Sequence, residues 1–219
     1  MKGNEAGLAR RWTRFERHAG VTAMMLRSWS GFTLLELMFV LALSATVTAA
    51  GLPLVTTAVD EYKALGAARY LSMRLGRARL EAVKRHANTA MRFTLSGDVY
   101  RYAVYTDGNG DGVKSDDIGA GIDKELFPAE KLPAQFGSVD FGVLPDLPAV
   151  EPSSPPPGND PIKLGAANMV SFTPLGTATP GSLYIRSRRG AQYVLRIYGE
   201  TAKTRILKFN RLTGEWKPL

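Results

Sequence analysis

The sequence predicts an α+β fold, in which one long N-terminal helix precedes a set of short antiparallel strands. The first observation is the run from residue 37 to residue 59, which has no charged side chain and is followed by an amphipathic pattern. The second is the composition after residue 96, where glycine and proline alternate with short runs of strand-forming residues. A helix followed by a series of strands is the arrangement of an α+β domain.

One helix is predicted from residue 32 to about residue 88. Its first half is apolar all round, which is typical of a lipid-exposed helix. Pro53 removes one backbone hydrogen bond inside the helix, so a bend is expected there. After Asp60 an apolar stripe should lie against a sheet, and it consists of Leu71, Leu75, Ala78 and Ala82. The basic residues that fall mainly off this stripe are interpreted as solvated, and they are Arg69, Arg77, Lys84 and Arg85.

Short strands are predicted after the helix. Residues 90–95 and 99–106 flank Ser96-Gly97-Asp98, which is a hairpin-type turn. Residues 136–144 are a further candidate strand, and the proline-rich residues 145–161 are expected to form an irregular surface loop. The last predicted strands are residues 169–173, 183–187, 192–198 and 204–210. A turn at Arg188-Arg189-Gly190 should join two of them.

Composition restricts the classes of function. The chain has 219 residues, a net charge of +8 and no cysteine, so no disulfide can stabilise it even in an oxidising compartment. Its two histidines, His18 and His86, lie far apart, which argues against a histidine-based zinc or catalytic site. The sequence contains no nucleophile triad pattern and no phosphate-binding glycine loop. It therefore predicts a protein that is not an enzyme.

The residues before the apolar run form a distinctive pattern. Residues 1–31 carry six basic and two acidic side chains, a bias that keeps this end of the chain cytoplasmic. Gly31, Phe32 and Glu36 then follow in the order Gly-Phe-x-x-x-Glu. Burying an unpaired carboxylate in hydrocarbon costs several kcal/mol or more, so an acid at the start of an apolar segment indicates a function.

This pattern resembles the processing signal of type IV prepilins. In that family a glycine precedes the cleavage point, an N-methylated aromatic residue follows it, and a glutamate is the fifth mature residue. Gly31, Phe32 and Glu36 match these positions, and Pro53 stands where many members have a helix-kinking proline. The alternative is an ordinary static membrane anchor, with Glu36 snorkelling to the interface.

The prepilin resemblance implies how the chain is processed and divided. A prepilin peptidase and methyltransferase would cleave after Gly31 and methylate Phe32. Residues 1–31 would be the leader, residues 32–59 the inner-membrane and assembly segment, and residues 60–219 a periplasmic domain. Glu36 would then pair with the N-terminal amine of a neighbouring pilin or pseudopilin. Met24 and Met25 are alternative translation starts, and our hypothesis is that residues 1–23 are not translated.

The late part of the chain resembles the GspH/FimT family of pseudopilins. The resemblance lies in residues 170–176 with their Phe-x-Pro-x-Gly turn, in the hairpin of residues 182–195, in Thr204-Arg205-Ile206 and in Trp216. Thr204 departs from the pattern, because family members usually have glycine there. The resemblance implies a pilin-like fold, in which a long N-terminal helix packs on antiparallel sheets.

The loop of residues 107–117 predicts a calcium site. It begins Asp-x-Asn-x-Asp-Gly, which places side-chain oxygens at alternate positions and a glycine at the sharp turn. The candidate ligands are Asp107, Asn109, Asp111, the carbonyl of Val113, Ser115, Asp116 and Asp117. Ile118 stands where such loops place their bidentate glutamate. The alternative is a turn-forming loop without a metal.

The C-terminal region is strongly basic. Residues 182–219 contain nine basic and two acidic side chains, and a cluster at Arg186, Arg188 and Arg189 is a candidate DNA-binding site. Tyrosines at positions 184, 193 and 198 interleave with these cations. The favoured interpretation is a solvated or partner-facing strand surface with the tyrosines in the core.

These observations together predict a minor pseudopilin or minor pilin of a type II secretion or type IV pilus filament. Its partners would be other pilin-like subunits, the prepilin peptidase and the inner membrane. The alternative function is that of a DNA-binding minor pilin on a DNA-uptake pilus.

Overall fold

A computed structural model describes residues 31–152 and 154–219, so the predicted leader before Gly31 lies outside the described residues. The chain divides into two compact units, Met1–Ala45 and Thr46–Leu219. Helix α1, Leu34–Arg85, begins in the first unit and ends in the second. It ends at Arg85 rather than near residue 88, because His86 adopts a left-handed backbone conformation with φ of 53°.

Among the described residues, twelve shorter elements follow α1. The two short helices are α2 (Ser115–Ala120) and α3 (Leu132–Phe136). The strands are β1 (Thr89–Ser96), β2 (Val99–Thr106), β3 (Lys124–Glu130), β4 (Val139–Phe141), β5 (Ile162–Lys163), β6 (Met169–Phe172), β7 (Gly181–Ser187), β8 (Gln192–Ile197), β9 (Thr204–Asn210) and β10 (Glu215–Pro218). The α+β prediction is confirmed.

Two antiparallel sheets form the second unit. A four-stranded sheet has the order β3-β2-β1-β6, and its β1–β2 hairpin turns at Gly97, as the sequence predicts. A six-stranded sheet contains β10-β9-β8-β7-β4, and β5 also pairs with β7. The β7–β8 hairpin turns through Arg188, Arg189 and Gly190. Each strand pair is antiparallel, so short turns suffice to connect most neighbours.

The second half of α1 supplies one side of the main core. All four residues of the predicted stripe have no exposed surface, and Ala64, Ala67 and Ala68 extend it towards the start of the domain. Small alanines allow the helix to approach the sheets closely. The four basic residues predicted to be solvated, Arg69, Arg77, Lys84 and Arg85, are exposed.

The strand predicted at residues 136–144 is wrong over most of its length. Phe136 ends α3, which begins with Pro133 in its first turn, and Gly137 terminates that helix with a positive φ of 64°. Only Val139–Phe141 pairs as a strand. The sequence reading also missed β3 and β10, which are edge strands rich in charged residues or proline.

The irregular loop expected at residues 145–161 is confirmed for its described residues, which contain no helix or strand. It covers the outer face of the six-stranded sheet. Leu147 is buried there with Tyr184 and Val194 in a second apolar cluster. Trp216 packs against this cluster and donates its indole N–H to the Pro148 carbonyl at 3.1 Å.

Candidate functional sites

The start of α1 combines the predicted processing point with a helix cap. Gly31 and Phe32 are exposed and precede the helix, which begins at Leu34. Thr33 accepts a hydrogen bond on its hydroxyl oxygen from the Glu36 backbone N–H at 3.2 Å. This Thr-x-x-Glu spacing is typical of an N-terminal cap, and a carboxylate in the first turn interacts favourably with the helix dipole. Glu36 therefore stabilises the helix start in addition to any role in assembly.

The apolar run is exposed almost throughout. Every residue from 31 to 50 is exposed, and so is every residue from 52 to 59. By length and composition alone, α1 is long and apolar enough to cross a membrane. An apolar surface this large on a soluble domain marks contact with lipid or with another protein. This exposure is compatible with membrane anchoring.

Pro53 lies inside the continuous helix. The proline ring leaves the carbonyl four residues earlier without its usual donor. The hydroxyl groups of two threonines one turn later form hydrogen bonds with the carbonyl of the proline itself. Thr57 donates to the Pro53 carbonyl at 2.9 Å, and Thr56 donates to it at 3.0 Å. The two hydroxyl groups thereby find acceptors within the helix, where lipid would offer them none.

Asp60 is a buried carboxylate immediately after the apolar run, and the sequence reading assigned it no role. Ser138 donates its hydroxyl to one carboxylate oxygen at 3.0 Å, and the Arg189 backbone N–H donates to the other at 3.1 Å. Burial alone would raise the pKa of Asp60, but hydrogen bonds from Ser187, Ser138 and Arg189 outweigh it and lower that pKa. Asp60 therefore fastens the β7–β8 turn to α1.

A second, partly buried polar cluster joins α1 to β3. Arg74 pairs with Glu130 at 2.7 Å, and the Tyr70 hydroxyl donates to the same carboxylate at 2.7 Å. Tyr102 also donates to Glu130, at 3.2 Å, and burial together with this carboxylate raises the Tyr102 pKa well above its ordinary value. The guanidinium of Arg74 further lies over the ring of Phe127. Edge strand β3 is thus held by polar contacts that periodicity does not reveal.

The candidate calcium loop folds around Asp107. Its two carboxylate oxygens accept hydrogen bonds from the backbone N–H groups of Asn109, Gly110 and Gly112 and from the side-chain amide of Asn88. Burial would raise the Asp107 pKa, but these donors prevail and lower it. The loop is therefore internally stabilised as a turn by its first acidic residue.

The remaining candidate ligands are spread around this turn. Asn109 and Asp111 are exposed, whereas the Val113 side chain is buried. Ser115, Asp116 and Asp117 lie in the first turn of α2. Among the described residues, no group of three or more acidic, histidine or cysteine side chains is placed to hold a metal ion. Calcium binding stays a prediction.

Asp123 also organises this loop, although the sequence reading did not include it. It is buried, and its carboxylate accepts the backbone N–H groups of Gly108 and Lys114 at 3.0 and 2.9 Å. It follows α2 and precedes β3, so it fastens both ends of the loop.

The three candidate DNA-binding arginines occupy different settings. Arg186 lies over Gly142 and donates to the Val143 carbonyl at 3.2 Å. Arg188 and Arg189 lie in the β7–β8 turn beside α1, where their side chains are exposed. Tyr184 and Tyr193 are buried and unavailable for stacking on bases. The structure therefore supports the predicted core position of these two tyrosines.

The long N-terminal helix packed on antiparallel sheets is the architecture expected of a pilin-like protein. Residues 67–201 match the protein family described as Type II transport protein GspH. This match spans more than half of the chain, and the protein therefore belongs to the GspH family.

Two solved structures of the minor pseudopilin EpsH from the type 2 secretion system of Vibrio cholerae resemble this chain. One is 15% identical, with 67% of this chain and 97% of that chain covered and a TM-score of 0.40. The other is 14% identical, with 73% and 94% covered and a TM-score of 0.35. A comparison with curated proteins gave no significant match.

Proposed function

We propose that the protein is a minor pseudopilin of a type II secretion filament. It waits in the inner membrane through residues 32–59, with residues 60–219 in the periplasm. A prepilin peptidase cleaves between Gly31 and Phe32 and methylates the new terminus, and the subunit then enters the filament. Its role is structural, and no catalytic step is assigned to it.

The observation that carries this proposal is the exposed Gly31–Phe32 junction before an exposed apolar helix in a chain of the GspH family. A secretory signal is cleaved after its apolar region, whereas this junction lies before it. Cleavage there leaves the whole apolar helix on the mature protein. That helix can serve first as an anchor and then as a packing surface for neighbouring subunits.

In this proposal, Glu36 supplies a driving force for filament assembly. Its carboxylate lies in the first turn of α1, two turns or less from the new amine that cleavage creates. In the membrane an unpaired carboxylate is costly, and in the filament it pairs with the terminal amine of a neighbour. Leaving the membrane therefore gains an ion pair at the step where subunits associate.

The test compares Glu36→Leu with Ser44→Leu. Both variants replace a polar residue of the same exposed apolar segment by leucine, but only the first removes a charge. Glu36→Leu should insert and be cleaved normally while its recovery in sheared or cross-linked filaments falls at least tenfold. Ser44→Leu should be incorporated like the native protein. Normal incorporation of Glu36→Leu would refute the assembly role of the carboxylate.

The alternative function is a DNA-binding minor pilin. The exposed side chains of Arg188 and Arg189 favour it, whereas the burial of Tyr184 and Tyr193 removes the stacking surface. A gel-shift titration at several salt concentrations tests it, with Arg186, Arg188 and Arg189 replaced by glutamine. Affinity that is unchanged by the replacements would reject this site.

A further inference from the structure

A group of cations lies beside α1 where its apolar run ends. Two adjoining pockets share Asp60 and Arg189, and both are lined on one side by residues of α1 between Val55 and Lys63. Two acidic side chains line them, Asp60 and Glu61. Six basic side chains, here called the basic collar, line the same pockets, and they are Lys63, Arg188, Arg189, Lys208, Arg211 and Lys217.

Most of the collar charge is available to an external anion. Glu61 is engaged by Lys208 in an ion pair, and Asp60 is satisfied by Ser138 and the Arg189 backbone. Among the described residues, none of the other five collar side chains takes part in an ion pair. The collar therefore presents a net positive surface.

The β7–β8 turn brings the cations from separate strands together. Gly190 adopts a positive φ of 88°, and a side chain at that position would collide with the Arg211 guanidinium. Arg211 can therefore lie directly over the turn that carries Arg188 and Arg189. Lys63 of α1 reaches the same area from the helix, near Gly137.

The collar lies beside the last residues of the apolar run. One of its pockets is lined by Val55, Thr56 and Val59, which belong to the last turns of that run. A helix rises about 1.5 Å per residue, so Val55 to Lys63 spans roughly 12 Å. The polar headgroup region adds about 5–8 Å on each side of the hydrocarbon core. If the apolar run fills the core, the collar lies at the level of the headgroups.

Exposed apolar side chains accompany these cations. Leu212, at the tip of the β9–β10 turn, is 97% exposed and lines the same pocket as Arg211. Tyr62, one residue before Lys63, is 74% exposed. Tyrosine is enriched at membrane interfaces, and cations combined with exposed apolar groups are typical of surfaces that bind anionic bilayers.

We propose that the basic collar binds the anionic phospholipid headgroups of the membrane leaflet that faces the domain. This inference rests on the proposed membrane insertion of residues 32–59. The collar holds the domain against the bilayer before assembly, and headgroup contacts are released when the subunit enters the filament. The phosphate oxygens of the lipid accept hydrogen bonds from Arg188, Arg189 and Arg211.

The test uses the full chain reconstituted in bilayers of phosphatidylcholine containing a minor fraction of phosphatidylglycerol. Spin-labelled lipids report the relative association constant of phosphatidylglycerol over phosphatidylcholine at the protein boundary. Each cation near an anionic surface contributes a factor of about five at low salt, so the Arg188→Gln/Arg189→Gln/Arg211→Gln variant should lose at least that factor. The preference of the native chain should also weaken as salt is added.

A matched variant removes the same charge elsewhere. Arg101, Lys203 and Arg205 are exposed and lie outside both pockets, so their replacement by glutamine should leave the lipid preference unchanged. Replacing the three collar arginines by lysine should retain most of it, because the charge remains. All variants keep the basic leader, so its own attraction to anionic lipid cancels in the comparison.

The outcomes separate this proposal from the proposed function. Resistance of the chain to alkaline extraction from the bilayer is measured first, and failure to insert would overturn the proposed function together with the collar proposal. If the native chain inserts but shows no preference for phosphatidylglycerol, the collar proposal alone is overturned. The same holds if the collar variant shows the same preference as the native chain. If the native chain shows no lipid preference but binds duplex DNA, and only the collar variant loses that binding, the surface is assigned to nucleic acid instead.

Discussion

The two halves of helix α1 are both rich in apolar residues, yet their surroundings differ. Residues 34–59 expose nearly all of their apolar side chains, on every side of the helix. Residues 60–85 bury a single stripe of alanine and leucine against the sheets and expose most of their cations. The difference lies in pattern rather than in hydrophobicity.

This comparison shows what each pattern requires. A sheet can cover one stripe of a helix, and the remaining faces must then tolerate water. A helix that is apolar on every face needs an apolar medium or other helices around it. Asp60 stands at the change between the two halves, and its hydrogen bonds to Ser138 and Arg189 begin the packed part.

The largest effect is expected in the packed half. Leu75 has no exposed surface, so Leu75→Ala should lower the free energy of unfolding by about 4 kcal/mol through lost burial and a cavity. Leu80 is 68% exposed on the same helix, and Leu80→Ala should change it by less than about 0.5 kcal/mol. Urea unfolding of the detergent-solubilised protein measures both. Equal effects would contradict the one-sided packing.

The next largest effect on stability is expected from the polar contacts of the packed half. Glu130→Ala removes the partner of Arg74 and the acceptor of two tyrosines, and should cost about 3 kcal/mol because it leaves a nearly buried guanidinium unpaired. Glu125 is exposed on the same strand and provides the control. If Glu125→Ala proved as destabilising in the same unfolding measurement, the Glu130 cluster would have no special role.

The boundary residue should show a smaller, pH-dependent effect. Asp60→Asn should cost about 2 kcal/mol near neutral pH, because a charged acceptor of buried donors is lost. The folded pKa of Asp60 is lowered, so its contribution is present above the unfolded value of 3.8 and disappears as pH falls below it. The difference between native and variant stability should therefore shrink in that window.

Asp146→Asn is the matched control for Asp60→Asn. Asp146 is exposed and has a positive φ of 56°, a conformation that asparagine also tolerates. Its replacement should leave stability nearly unchanged at every pH. A difference for Asp60→Asn that does not vary with pH would show that hydrogen bonding of the charged carboxylate is not the cause.

The smallest effect is expected from calcium, and it should concern only the packed domain. If the loop at residues 107–117 binds the ion, isothermal calorimetry with millimolar calcium should give a heat signal that Asp111→Asn weakens. Asp98→Asn, outside the loop, should leave that signal intact. The absence of both heat and thermal stabilisation in the native chain would remove the calcium site.

The sequence predicted what periodicity and turn chemistry can carry. The apolar run, the stripe at Leu71 and Leu75, the Gly97 hairpin and the later strands all follow from local patterns. Strands β3 and β10 lie at sheet edges, where one unpaired side permits charged residues and proline, so their pattern resembles that of loops. The local sequence therefore could not distinguish these two strands from loops.

The site residues divide in the same way. Gly31, Phe32 and Glu36 lie within six consecutive residues and form a motif that can be recognised from the sequence. Asp60 and Glu130 act through partners that are distant along the chain, such as Arg189 and Arg74. Only the fold brings these partners together. The Thr33-x-x-Glu36 spacing, which is typical of a helix cap, lies within the same six residues.

The most direct test of the account is the N-terminus of the protein in cells that carry the prepilin peptidase. Mass spectrometry of the purified chain should find a peptide that begins at Phe32 and carries a methyl group on its amine. Cells without the peptidase should yield only peptides that continue upstream through Gly31. An unmethylated chain that retains the leader in peptidase-containing cells would show that the apolar half of α1 is a static anchor.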